Sequence, residues 1–332
     1  MNQYPHKYYI FIPANKCSGG PEALHQLVYY MRKIGLDAYA VYYEYSGFVC
    51  AKPITRYEQY GVTAVVYSDI EDKIENYIIA PENAPWCLNG FKKAKKCIWW
   101  LGVKASQLHE AGLFYRMIYW KRRLLGQSIL EARNMLFNPE KCLHLCGSKF
   151  AFEYVKQKFP KSVVEYLVEP ISLDFLMINN IFMYGEKEDI VLYNPSKPSK
   201  IMEALLERKR FNYIPLKGFL PEKLAEYYKK AKLYVDFGEF GGPERMPKEA
   251  VYFGCNILVA NHNAANNDFD VAIPNKYKVD DCETVEQVEI RIEEMLLHYK
   301  DQTNDFLLFK AKVDGLEENF IKQLKKIFYL DE

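Results

Sequence analysis

Residues 233–263 read LYVDFGEFGGPERMPKEAVYFGCNILVANHN, and their order of apolar, small and charged residues decides the fold class. Residues 233–237 (LYVDF) are aromatic and β-branched and predict a strand. An acidic loop with Gly238, Gly241 and Gly242 follows, and a helix is predicted to start near Met246 or Pro247, since proline suits a first helical turn. Residues 256–260 (NILVA) predict the next strand. Strand, loop, helix and strand in this order build a parallel sheet covered by helices, and such sheets bind ligands where loops leave the carboxyl ends of strands.

The predicted helix start points free backbone N–H groups and a positive dipole end at the loop, which makes an anion site. Gly241 and Gly242 let a phosphate approach the backbone, Arg245 can fork onto phosphate oxygens and Lys248 adds charge. Glu249 sits one step into the helix, where a carboxylate can accept from two ribose hydroxyls. An acid beside a phosphate site implies a ligand that offers both an anion and a diol, as a nucleoside diphosphate does. The alternative is a tight Gly-Gly-Pro turn, an i, i+4 salt bridge between Arg245 and Glu249, and solvated surface. Spacing leaves the two readings level.

Outward from this stretch, residues 189–193 (DIVLY) predict a strand, 194–198 a turn, and Met202, Leu205 and Leu206 a helix. A strand at 213–216 and a helix at 222–230 complete the series. A similar series opens the chain. Residues 8–13 (YYIFIP) predict a strand, 14–21 (ANKCSGGP) a loop, and Leu24, Leu27, Val28, Met31 and Ile34 one helix face ending at Gly35. Further strands are predicted at 38–43, 63–67, 77–80 and 96–101. Residues 172–187 lack periodicity and are read as a hinge.

At 332 residues the chain is long for one core and suits two. The expected domains are 1–172, 188–310, and a final segment, 311–332, whose amphipathic helix at 316–328 packs back on the first domain. Lys and Arg number 44 against 43 Asp and Glu, so no bulk charge attracts nucleic acid. The opening residues lack a secretion signal and no run matches a membrane span, so a cytoplasmic protein is expected. The eight cysteines are Cys17, Cys50, Cys87, Cys97, Cys142, Cys146, Cys255 and Cys282. Only Cys142 and Cys146 lie close, with His144 between, and no second cluster completes a metal site, so free thiols are expected.

Residues 233–260 resemble the donor-binding segment of GT-B class glycosyltransferases, especially the retaining group with a helix of the form E-A-x-x-x-G-C, matched by Glu249, Ala250, Gly254 and Cys255. Ser18-Gly19-Gly20-Pro21 with Leu24 and Leu27 is similar to that group's first loop. Trp99-Trp100-Leu101, residues 144–151 (HLCGSKFA) and residues 245–250 resemble stretches of bacterial surface-polysaccharide transferases. The resemblance implies an α/β fold of two Rossmann-like doubly wound domains facing across a cleft. It implies a nucleotide-diphosphate-sugar donor, a glycan or lipid-linked acceptor, retention of configuration with the donor phosphate taking the acceptor proton, and no cofactor.

On this reading Arg245, Lys197 and Glu239 are the catalytic candidates. Gly19, Gly20, Asn194, Gly241, Gly242, Glu244, Lys248 and Glu249 are the donor-binding candidates, and Glu22 and His144 meet the acceptor. Lys197, in the turn after residues 189–193, corresponds to the basic residue that reaches the diphosphate in the resembled enzymes. The group places another glutamate eight positions before the helical one. Gly241 stands there instead, so Glu239 or Glu244 takes the contact to the sugar, with Glu239 preferred. The other transferase class uses an Asp-x-Asp metal pair; Asp268-Phe269-Asp270 is read as loop surface, so metal independence is expected. His25 is read as packed. Residues 112–126 (GLFYRMIYWKRRLLG), bounded by Gly112 and Gly126, join aromatics to Lys121, Arg122 and Arg123 and suit peripheral contact with an anionic membrane at the inner face of the cell membrane. Two other readings remain: a cytidine-activated donor, or a non-catalytic member that binds nucleotide or glycan.

Overall fold

The structure is a computed structural model and describes residues 6–44, 46–103, 113–126, 138–179 and 186–329. The chain forms two compact units, residues 1–169 with 320–332, and residues 170–319.

Unit 1 is built on a seven-stranded sheet in the order β3-β2-β1-β4-β5-β6-β7. Its strands are β1 (Lys7–Pro13), β2 (Asp37–Glu44), β3 (Gly47–Phe48), β4 (Tyr77–Pro81), β5 (Lys95–Trp100), β6 (Leu143–Cys146) and β7 (Val163–Tyr166). All pairs are parallel except β2 with β3. Helix α1 (Gly19–Lys33) returns the chain from β1 to β2, α2 (Leu113–Leu124) lies between β5 and β6, and α3 (Lys149–Lys158) joins β6 to β7. β5 shows why such a strand reads as an unbroken apolar run: Trp99 and Trp100 are both fully enclosed, one on each face. Each indole N–H is satisfied, Trp99 donating to the Leu167 carbonyl at 2.9 Å and Trp100 to His144 Nδ1 at 2.8 Å.

The last helix (Leu316–Phe328) contributes its later turns to unit 1. Phe320 packs edge-on to Tyr30 at 5.5 Å, and Phe328 edge-on to Tyr8 at 5.2 Å. Gln323 accepts from the Val168 N–H at 2.9 Å, and Lys326 pairs with Glu165 at 2.6 Å.

Unit 2 holds a five-stranded parallel sheet in the order β12-β11-β10-β8-β9. Its strands are β8 (Glu188–Tyr193), β9 (Asn212–Pro215), β10 (Ala231–Asp236), β11 (Asn256–Ala260) and β12 (Lys278–Val279). The helices include α4 (Leu173–Asn179), α5 (Lys200–Arg208), α6 (Pro221–Lys230), α7 (Arg245–Tyr252) and α8 (Val285–Leu297). Local chemistry sets their starts. Ser199 Oγ accepts from the Met202 N–H at 3.2 Å, and Thr284 forms a reciprocal box with Gln287.

Three expectations change. Residues 63–67 are not a strand: one bridge, Ala40 to Ala64, joins them to β2, and Thr63 and Ala64 are exposed, so their apolar residues lack the second neighbour and the cover that a strand of this sheet has. Part of the expected hinge, residues 173–179, is helical, with Phe175 buried against Phe253 at 5.4 Å. Helix α7 starts at Arg245, one to two residues before the expected place.

Candidate functional site

In an open α/β sheet the ligand crevice opens where successive strands leave in opposite directions. In unit 2 the chain goes from β8 to β9 on one side and returns to β10 on the other, so the switch point lies between the carboxyl ends of β8 and β10. The turn after β8 carries Asn194 and Lys197; the loop after β10 carries residues 237–244. Asn194 shapes its turn, its Oδ1 accepting from the Ser196 N–H at 3.0 Å.

Lys197 crosses from this turn into the β10 loop. Its ammonium pairs with the Glu244 carboxylate, lies 3.9 Å from Asp236 Oδ2, and donates to the Glu239 carbonyl at 3.2 Å. It also stands 5.2 Å from the centre of the Phe240 ring. Gly238 makes the crossing sterically available: a Cβ there would sit 2.5 Å from Lys197 Cβ and 3.2 Å from Asp236 Oδ1. Asp236 is buried and accepts from the Tyr234 hydroxyl at 3.0 Å and the Gly238 N–H at 3.1 Å. Burial pushes the carboxyls of Asp236 and Glu244 above the usual carboxylate range, and the Lys197 ammonium beside them works against that rise.

Glu244 is the N-cap residue of α7, and Arg245 opens the helix. Within it, Arg245 Nε lies 3.8 Å from Glu249 Oε1, and the Tyr228 hydroxyl of α6 donates to Glu249 Oε2 at 3.2 Å. The i, i+4 contact of the alternative reading is therefore present, inside a buried carboxylate site and not on solvated surface. The helix ends in a Schellman motif. Cys255 N–H donates to the Ala250 carbonyl at 2.8 Å and Gly254 N–H to Val251 at 3.0 Å, with Gly254 at φ 80°. In the form E-A-x-x-x-G-C, the glycine thus stops the helix, and the buried Cys255 thiol donates to the carbonyls of Tyr228 and Ala231.

Lys197, Glu244, Arg245 and Glu249 thus meet at one place, with Gly242 and Lys248 buried beside them and Gly241 half-buried. Glu239 reaches the site through its carbonyl while its residue is exposed. Of the two glutamates weighed for the missing acid, Glu244 is the one whose carboxylate the structure places at the Lys197 ammonium. Asp236, Tyr234 and Tyr228 were not foreseen. An acidic residue closing an otherwise apolar strand was the available signal for Asp236, whereas the tyrosines read as ordinary core.

In unit 1 the switch point lies between β1 and β4. Gly19 and Gly20 open α1 there, and the Ser18 backbone is tied to the Tyr57 hydroxyl at 3.0 Å. Glu22 is buried and accepts from Tyr60 at 2.8 Å; His25 is packed, its ring bonded to the Pro21 carbonyl at 2.7 Å and to Tyr42 at 3.0 Å. The acceptor role expected of His144 is corrected. It is fully enclosed; Nδ1 takes the Trp100 indole proton, so Nε2 carries the hydrogen and donates to Pro139 at 3.0 Å. Burial holds its pKa down to about 4. A polar group the sequence reading missed stands after β4: Glu82 is buried, accepts from the Leu101 N–H at 3.0 Å, and is pushed up to about 7 by burial.

Asp268 pairs with Lys278 at 3.3 Å, and Asp270 accepts from Asn267 at 2.9 Å. Among the described residues, no three His, Cys, Asp or Glu side chains are grouped to hold a metal, and no helix is long and apolar enough to cross a membrane.

No family model and no curated protein matches this chain. Solved structures do. A glycosyltransferase from Rickettsia africae ESF-5 is 11% identical with a TM-score of 0.62, over 99% of this chain and 98% of that one. The fold is that of the GT-B glycosyltransferases. Sucrose-phosphate synthase from Thermosynechococcus elongatus is 9% identical with a TM-score of 0.63, over 98% of both chains. T4 phage BGT, solved with its UDP-glucose substrate, is 11% identical with a TM-score of 0.55, over 97% of this chain and 98% of that one.

Proposed function

We propose that this chain is a glycosyltransferase that takes a sugar from a nucleotide diphosphate sugar held in unit 2. The observation that carries the reading is the convergence of Lys197, Glu244, Arg245 and Glu249 at the switch point between β8 and β10. A fold shared with a UDP-glucose-dependent enzyme supports it. The start of α7, Arg245 and Lys197 receive the diphosphate, Glu249 accepts from the ribose diol, and Glu244 exchanges Lys197 for the sugar hydroxyls as the phosphates arrive. Cationic side chains and backbone N–H groups then offset the charge on the departing diphosphate, so the reaction needs no metal and no cofactor. Configuration is retained, the donor phosphate taking the acceptor proton, and the product belongs to a bacterial surface glycan. These last features rest on the sequence resemblance.

The acceptor is a glycan or a lipid-linked chain at an anionic membrane. Exposed Met117, Trp120 and Leu124 recur at i, i+3 and i+7 along α2, beside Lys121, Arg122 and Arg123. Gly112, at the start of that expected membrane segment, lies outside the described residues.

Thermal shift against UDP, GDP, ADP, CDP and CMP tests the donor. One nucleoside diphosphate raises the melting temperature, the matching nucleotide sugar is turned over, and Glu249→Ala loses both effects while staying folded. A preference for CMP establishes the cytidine-activated rival, and nucleotide binding without turnover establishes the non-catalytic one. Co-sedimentation with phosphatidylserine vesicles tests α2: Trp120→Ser and Arg123→Ser each reduce the bound fraction, and equal binding by all three proteins rejects that surface.

A further inference from the structure

Two tyrosines that patterning assigns to the core lie directly behind the carboxylates of unit 2. Tyr228 on α6 and Tyr234 on β10 are both fully enclosed. Their hydroxyls serve different acids: Tyr234 donates to Asp236 at 3.0 Å and Tyr228 to Glu249 at 3.2 Å. Packing alone asks for phenylalanine at such positions, because a buried hydroxyl costs free energy unless it is bonded.

Tyr228 is fixed on every side. Its ring stacks on Phe253 at 5.9 Å and 8° and meets Phe175 edge-on at 6.3 Å. Its carbonyl accepts from Lys187 at 2.7 Å and from the Cys255 thiol at 3.1 Å. The hydroxyl is therefore a stationary donor delivered from a helix that carries none of the other donor-site side chains. A glutamate's terminal torsion is broad and two-fold, so the plane of the Glu249 carboxylate is set by its partners. Tyr228 holds Oε2, and Arg245 Nε stands 3.8 Å from Oε1. Loss of the Tyr228 proton removes the bond that fixes Oε2, and the ribose loses a correctly turned acceptor.

We propose that Tyr228 is a positioning residue which orients the Glu249 carboxylate toward a nucleotide's ribose diol; this rests on the reading of Glu249 given above. The signature is discrimination between ribose and deoxyribose, which a merely structural tyrosine does not control. Calorimetric titration of the full chain with UDP, GDP, ADP and CDP, each beside its 2′-deoxy counterpart, measures it. The wild type prefers the ribonucleotide by about tenfold or more, the worth of one hydrogen bond to a charged group. Tyr228→Phe weakens the ribonucleotide about tenfold and leaves the deoxy form within about twofold, so the preference collapses. Tyr234→Phe removes an equally buried hydroxyl and keeps the preference. Full preference in Tyr228→Phe overturns the inference while leaving the Glu249 reading intact, and equal loss in both variants overturns it as general loosening. A wild type that binds both sugars alike overturns the Glu249 reading and the inference with it. If Tyr228→Phe does not fold, 4-fluorophenylalanine at position 228, which fills the hydroxyl's space without its proton, gives the same readout.

Discussion

The two switch points of this molecule are built from the same parts and filled differently. Each has a glycine-bearing loop after a strand, a helix start, and a buried carboxylate at a strand end: Glu82 just past β4 in unit 1, beside the strand that leads into the loop, and Asp236 closing β10 in unit 2, the strand that leads into it. In unit 2 the carboxylate faces the Lys197 ammonium at 3.9 Å, and more charged side chains crowd the loop. In unit 1, Glu82 is held by backbone N–H, and the glycine loop by tyrosine hydroxyls. Glycines and a helix start are therefore a scaffold common to both; on the proposed function, the charges gathered on it mark the unit that takes the diphosphate.

Lys197→Met breaks the comparison most severely. It removes the ammonium that faces Asp236 and Glu244 at the unit 2 switch point. Turnover of the nucleotide sugar selected by thermal shift falls about 100- to 1,000-fold, the usual cost of removing one group that stabilises developing charge. Activity within about threefold of the wild type shows that Lys197 serves only Glu244 and Asp236.

The buried groups of unit 1 give the next effect, read in stability against pH. Glu82 has its ordinary value of 4.5 raised to about 7, so between these values the folded chain keeps a proton that the unfolded chain has released. The stabilisation is complete below pH 4.5 and is lost as pH rises to 7, about 3 kcal/mol in all. His144 runs the other way: lowered from 6.5 to about 4, it lets the unfolded chain take up a proton first, so stability is lost as pH falls from 6.5 to 4. The two slopes oppose each other over nearly the same range, so denaturant titrations of the variants from pH 4 to pH 8 separate them. Glu82→Gln leaves the His144 slope, stability rising with pH, and His144→Gln leaves the Glu82 slope, stability falling with pH, whatever constant packing cost each adds. A pH profile in Glu82→Gln parallel to that of the wild type means that Glu82 does not titrate there.

Gly238→Ala comes third. The added Cβ meets Lys197 Cβ at 2.5 Å, near that residue's backbone and not at the far end of a flexible chain, so the loop after β10 has to move. Overpacking of this kind costs about 1–3 kcal/mol, and nucleotide affinity falls with it. A melting temperature and an affinity equal to wild type show that Lys197 need not cross Gly238.

The sequence pattern located most strands of both sheets because a parallel strand covered on two faces is an apolar run, as in YYIFIP and NILVA. It missed β7, VVEY, where alternation leaves Val163 exposed and only Val164 buried. It brought forward Arg245 and Glu249 through a loop and a helix start adjacent in sequence, and Lys197 only through the resemblance. Tyr228 and Asp236 escaped because Glu249 and Lys197 reach them from other elements, and Tyr234, two residues before Asp236 on β10, because a tyrosine in an apolar run looks the same whether its hydroxyl bonds a carbonyl or a buried acid. His144 misled for the converse reason: it lies between Cys142 and Cys146 in a stretch that resembles transferase sequence, yet its ring is used up between Trp100 and Pro139.

Gly20→Ala is the smallest expected effect and separates the two glycine loops most directly. Gly20 lies inside α1 at an ordinary backbone angle, and a Cβ there meets nothing within 4 Å. Glycine in a helix costs about 0.5–1 kcal/mol relative to alanine through the freedom it has when unfolded, so the substitution stabilises the chain by about that amount. Its effect on turnover decides what the loop is for. If the nucleotide sugar approaches the backbone at Gly19 and Gly20, as the resemblance implies, a methyl group blocks that approach, and the variant is more stable yet slower, with KM for the donor raised. If donor recognition resides in unit 2 alone, the variant is more stable and as active as wild type, and the first loop is a helix start with room left on it. Both outcomes differ in sign from Gly238→Ala in stability, so the pair shows whether a glycine is kept for the fold around it or for a ligand it admits.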